Sequence, residues 1–132
     1  MIRFALMIVL VASLGFVLGA GNEDKLKGEW RCTSEMVDGK PMNPPYHEQW
    51  LFADGGNITI NGNRRLKYRN DTTGAPSKLL VHNEANGKQI PIYACLYKFE
   101  NGKLVVALNA GETPPADFSG SDGISFILTF EK

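Results

Sequence analysis

Residues 50–69 read WLFADGGNITINGNRRLKYR, and this stretch decides the fold. Asp54-Gly55 and Asn61-Gly62 cut it into three short runs. Such pairs supply the residues tolerant of positive φ that tight hairpin turns require. The runs alternate apolar and polar side chains: Trp50 and Phe52 share one face of the first, and Arg65, Lys67 and Arg69 share one face of the last. A period of two means half-buried strands. Asp38-Gly39, Asn86-Gly87, Asn101-Gly102 and Asp122-Gly123 repeat the signal along the chain.

Upstream, Leu26 to Met36 alternates strictly. Leu26, Gly28, Trp30, Cys32, Ser34 and Met36 fall on one face, and Lys27, Glu29, Arg31, Thr33 and Glu35 on the other. Downstream, Lys78 to His82, Ile90 to Phe99, Lys103 to Asn109 and Ile124 to Phe130 continue the pattern. With Tyr46 to Ala53, Asn57 to Ile60 and Arg64 to Arg69 the total is eight strands. A helical period is missing after the first twenty or so residues. The expected fold class is therefore all-β: an eight-stranded antiparallel up-and-down barrel, since closure removes exposed strand edges. A two-sheet sandwich is the alternative. Hairpin-length links favour the barrel, because Greek-key sandwiches need long crossovers.

The first residues carry the three parts of an export signal: Arg3, the uncharged apolar run Phe4 to Leu18, and small residues at Gly19, Ala20 and Gly21. Val17 with Gly19, or Gly19 with Gly21, fits the cleavage positions. Residues 1–20 are expected to be a signal peptide and 21–132 a single domain, secreted or held in the periplasm or cell envelope, with no membrane insertion of the mature part. Losing Arg3 leaves 13 basic against 14 acidic residues. That balance gives no electrostatic case for nucleic acid or an anionic membrane as partner. The basic cluster Arg64, Arg65, Lys67 and Arg69 reads as a solvated strand face, with a binding site for an acidic group as the alternative. Cys32 and Cys95 are a disulfide candidate in an oxidising compartment or two buried thiols, and the sequence leaves both open. They lack the companions a metal site needs.

No catalytic constellation emerges. Adjacent strand residues point to opposite faces, so His47 and Glu48 cannot share one site on a regular strand. His82 stands alone, and Ser119 and Ser121 have no plausible base. Asp117 and Asp122 flank a loop whose spacing matches no calcium loop. The expectation is a non-enzyme without cofactor. What remains is the interior, for which Trp30, Trp50, Phe52, Tyr97 or Leu96, Phe126 and Phe130 are the aromatic-rich candidates. A small barrel of this kind is filled by side chains or holds one small ligand. Trp30, Trp50, Phe52, Tyr97 and Phe126 are the candidate ligand-binding residues. Val37–Pro45, Asp71–Ser77 and Ala110–Gly120 are the candidate mouth loops, with the first two at opposite ends.

Several segments carry a family resemblance. Leu26-Lys27-Gly28-Glu29-Trp30 has the form Leu-x-Gly-x-Trp. Asp38-Gly39-Lys40-Pro41, Gly87-Lys88, Leu96 to Leu104 and Pro115-Ala116-Asp117-Phe118 follow in order. The series resembles a paralogous family of small secreted, lipocalin-like proteins abundant in planctomycete bacteria. That resemblance implies a barrel and export, and no particular activity. Gly28-x-Trp30 also resembles the lipocalin signature, in which the Trp plugs one end of the barrel beneath an Arg near the last strand. This chain departs there, ending in Glu131 and Lys132. Pro114 likewise stands where relatives often carry Arg. The function expected is binding of a small apolar ligand or a partner, with a solid-core structural or interaction protein of the cell envelope as the alternative.

Overall fold

The computed structural model describes residues 25–37, 39–42, 48–120 and 125–132. The leader, His47 and Asp122 lie outside them. The strands are β1 (Gly28–Val37), β2 (Lys40–Pro41), β3 (Gln49–Ala53), β4 (Asn57–Ile60), β5 (Arg64–Asp71), β6 (Ser77–Ala85), β7 (Lys88–Glu100), β8 (Lys103–Ala110) and β9 (Phe126–Glu131). β2 is a two-residue stub folded back on the end of β1. The other eight pair in the order β1-β3-β4-β5-β6-β7-β8-β9, and β9 pairs again with β1. Every ladder is antiparallel. The chain is thus an eight-stranded closed up-and-down β-barrel of lipocalin-like form.

The turns do what the sequence asks of them. Asn61-Gly62 has φ of 55° and 76°, Asn86-Gly87 has 54° and 75°, and Asn101-Gly102 has 53° and 76°. Positive φ at both central residues gives a turn whose twist matches that of the flanking strands. Ala85 pairs directly with Lys88, and Glu100 with Lys103, so those two hairpins close over two residues.

The two ends of the barrel differ. One end gathers the starts of β1, β6 and β8 and the close of β9, and Trp30 seals it. The Trp30 ring is buried, donates its Nε1–H to Leu26 O at 2.8 Å, and lies 6.1 Å from the Phe99 ring. Lys132 Nζ stands 5.0 Å from the Trp30 ring and donates to Lys27 O at 2.8 Å. Where the sequence lacks an Arg, this Lys supplies the cation over the plug. Gly28 makes the arrangement possible: its φ is +116°, and a Cβ there would sit 3.2 Å from Lys132 Nζ.

Aromatic rings fill the middle. Trp50 is fully buried, with Phe130 at 4.9 Å and Phe52 at 6.1 Å, and Phe52 meets Tyr68 edge-on at 5.1 Å. Tyr97 faces inward and donates its hydroxyl to Asn70 Oδ1 at 2.6 Å. Its neighbour Leu96 faces out, which settles the choice the alternation left open. There Leu96, Ala107 and Ile127 form a second apolar cluster on the outer wall, joined by Met36, Val105 and Phe118. Phe118 belongs to the loop after β8. That loop therefore packs along the wall, where Lys98 Nζ lies 4.6 Å from the Phe118 ring.

One expectation is corrected. Strict alternation puts Ser34 and Met36 inside and Glu35 outside. The β1–β9 register shifts between Cys32 and Ser34, so Glu35 stands opposite Leu128, and Val37 opposite Phe126. This bulge inserts one residue and reverses the parity beyond it. Glu35 is accordingly buried, and Met36 joins the outer cluster.

Replacing Trp30 by Ala removes the plug and should lower unfolding stability by ~3–5 kcal/mol. Lys132→Ala, which removes the cation–ring contact and the hydrogen bond to Lys27 O, should lower it by about 1–2 kcal/mol. Urea unfolding of the two variants against wild type checks both values. A Trp30→Ala loss below about 1 kcal/mol would show that the ring does not seal the barrel.

Candidate site at the second end of the barrel

At the end opposite Trp30, β1 and β3 part company. Their ladder ends at Arg31↔Gln49, while β1 runs on to Val37 paired with β9. A last backbone bond, Cys32 N to Glu48 O at 2.8 Å, marks the point of divergence. Between the splayed strands lies a cavity of about 360 Å³. Glu35 from β1 and Glu48, just before β3, border it. Val37, Met42, Leu108, Phe126, Leu128 and the ring of Tyr93 supply the apolar lining. Met42 and Phe126 stay 44% and 40% exposed at its rim.

Each wall residue has a local cause. The bulge turns Glu35 and Val37 inward. Leu108, Phe126 and Leu128 keep the inward parity of β8 and β9, whose register sets Leu108 against Phe126. Tyr93 stacks at 17° on Trp50, which floors this region, and their centroids are 6.5 Å apart. On the rim, Arg64 lies 5.9 Å from the Tyr93 ring centroid and its Nη1 donates to the Tyr93 hydroxyl at 3.5 Å. Glu48 Oε1 accepts the Trp50 indole N–H at 2.6 Å.

Among the five candidate residues read from the sequence, Phe126 lines this cavity. Trp50, Phe52 and Tyr97 fill the barrel, and Trp30 closes the far end. Val37 and Met42 belong to the candidate mouth loop Val37–Pro45, whereas Glu35, Glu48 and Tyr93 went unread as site residues. Tyr93 was legible as sharing a face with Cys95 and Tyr97, but Glu35 required the bulge. Further hollows among the described residues include a small one of about 100 Å³ at Arg31, Cys32, Glu48 and Gln49 and two larger ones. One of about 340 Å³ has Leu80 and Ala94 of the outer wall together with the charged Arg69, Lys78 and Glu112. The other, of about 320 Å³, lies at the plugged end beside Lys25 and Pro76.

The remaining reactive groups are structural in their placement. Cys32 and Cys95 are free, buried thiols with no disulfide between them. Burial pushes the Cys32 thiol up to about 11, with the charges of Glu35 and Glu48 adding to the rise. Burial raises Cys95 further still. Asp117 accepts from Ser119 N and Oγ, a tight local turn on the outer-wall loop. Among the described residues no three His, Cys, Asp or Glu side chains converge on a metal position.

His82 is buried, with Gln89 Nε2 3.3 Å from its Nε2. An amide nitrogen donates, so Nε2 accepts and the ring proton sits on Nδ1. Nδ1 is buried without a partner. Burial, chiefly, lowers the His82 pKa; Arg69 and Lys67 lower it further, against an opposing pull from Glu84.

No protein-family model matches the chain, and no curated protein or solved structure is significantly similar to it.

Two expectations follow from these groups. Because thiolate is the reactive form, iodoacetamide at about pH 8 should leave both cysteines of the native protein unmodified over hours and label both in urea, read by intact mass. For His82, the folded pKa lies below the unfolded value near 6.5. Its contribution to stability is therefore present above about pH 6.5 and lost as pH falls through the folded value. The melting temperature should drop between about pH 7.5 and 5, and His82→Gln should flatten that drop. An unchanged pH profile in the variant would show that His82 is not the group responsible.

Proposed function

We propose that this protein is an exported, non-catalytic binding module that takes one small apolar molecule at the splayed end of its barrel. One observation carries the reading. The described residues include four exposed large apolar side chains: Met42, Leu51, Ile90 and Phe126. Two of them, Met42 and Phe126, stand on the rim of one concave cavity whose inner wall is also apolar. Apolar side chains left in water around a concavity are the usual mark of a ligand site. The cavity volume suits a ligand of roughly one to two dozen non-hydrogen atoms at ordinary packing density.

Export rests on the composition of residues 1–20, and the kinship with secreted planctomycete proteins rests on the motifs from Leu26 to Phe118. Both belong to this proposal. A second reading, a solid-core interaction protein of the cell envelope, is favoured by the filled interior around Trp50, Phe52, Tyr97 and Phe130. On that reading the rim residues meet a partner rather than a small molecule.

The neutral dye N-phenyl-1-naphthylamine tests the first reading, since it brightens on entering an apolar site. It should bind the wild type with a dissociation constant in the micromolar range. Met42→Asp and Phe126→Asp, both at exposed positions, should weaken it about tenfold or more. Leu51→Asp, equally exposed but on the outer wall, should leave it unchanged. Equal loss in all three variants, or none in any, would remove the cavity from consideration and leave the solid-core reading.

A further inference from the structure

The charge around the cavity narrows the class of ligand, given the binding function proposed above. The bulge after Cys32 brings Glu35 to the inner side, where it is only 5% exposed and faces Leu128 across the ladder. Glu48 reaches the same space from the β3 side, sharing the parity of Trp50. Carboxylates are seldom buried among apolar side chains without a reason, because desolvating a charge is expensive. Two such groups border this one small cavity. Both also bear on the Cys32 thiol between them, whose proton they help to retain.

The other six lining residues among those described are Val37, Met42, Tyr93, Leu108, Phe126 and Leu128, none of them a cation. Arg64 occupies the same rim, but its guanidinium is laid on the Tyr93 ring and hydroxyl and does not border the cavity. Glu35 already has a partner within the protein, so the ligand's head is assigned to Glu48. Glu48 spends one oxygen on the Trp50 indole. Its second oxygen has no hydrogen bond to any described residue and can receive a donor. The ring of Phe126 adds a face that attracts a cation.

We infer that the ligand of this cavity is a cationic amphiphile, an amine or quaternary ammonium whose head lies at Glu48 and whose apolar body rests on Leu108, Phe126 and Leu128. A fatty acid of the same length is disfavoured, since its carboxylate would meet that of Glu48 in a poorly solvated space.

Three ligands of equal chain length separate the head from the tail: decyltrimethylammonium, decanol and decanoate, each below its micelle concentration, competed against N-phenyl-1-naphthylamine. The cation should bind at least tenfold more tightly than decanoate, with decanol between them. Glu48→Gln keeps an acceptor for the Trp50 indole while removing the charge. It should reduce the preference for the cation over decanol about tenfold. Decanoate binding as tightly as the cation, or a preference that survives Glu48→Gln, overturns the charged-head assignment even if decanol binds. Failure of all three ligands and of the dye overturns the cavity itself. The wild-type comparison stands whatever the fate of the variant.

Discussion

The pairing of β1 with β9 is the constraint on which the rest depends. It joins the first strand to the last, and it is the pairing of highest sequence separation in the molecule. Without it the remaining strands form an open sheet with two long edges. With it, every inward side chain from Trp30 to Phe130 shares one dry interior. The join is not uniform, because β1 divides its partners. Its first residues pair with β3 and its later ones with β9, with Arg31 common to both. A strand that changes partners along its length must leave a gap on one side, and here the gap is the cavity.

The bulge between Cys32 and Ser34 follows from the same join. Antiparallel ladders tolerate an added residue when it lets both flanking segments keep their faces. Here it lets Cys32 stay inside opposite Phe130 while Met36 reaches the outer apolar cluster with Ile127 and Leu96. The consequence is an inward Glu35. A side chain of charged type thus enters the barrel where the interior is least filled, at the end away from Trp30. The two ends then acquire different characters from one cause. At the plugged end Trp30, Phe99 and Lys132 complete one another, and at the splayed end two carboxylates face apolar walls.

Much of this architecture was legible in the residues. The Asn-Gly pairs require positive φ at two successive positions, few other dipeptides provide it, and tertiary context seldom overrides it. The strand count and order followed from those turns. The plugging role of Trp30 was legible by resemblance, although its covering cation proved to be Lys132 rather than Arg. The site was much less legible. Only Phe126 among the candidate residues lines the cavity, because aromatic content marks where a barrel is filled better than where it is hollow. The Ala110–Gly120 loop carried no signal that Phe118 would lie on the outer wall, since that contact depends on Lys98 and Ile127 from other strands.

The sequence by itself determined the period-two strands, their number and their hairpin links, since these depend on neighbours along the chain. Tertiary structure alone decided which face of each strand is inner where the parity breaks, and where the barrel is left unfilled. A bulge has no local code: Thr33 and Ser34 differ little from residues in a regular strand. Only the requirement that β1 satisfy β3 on one side and β9 on the other selects the extra residue, and with it the inward turn of Glu35.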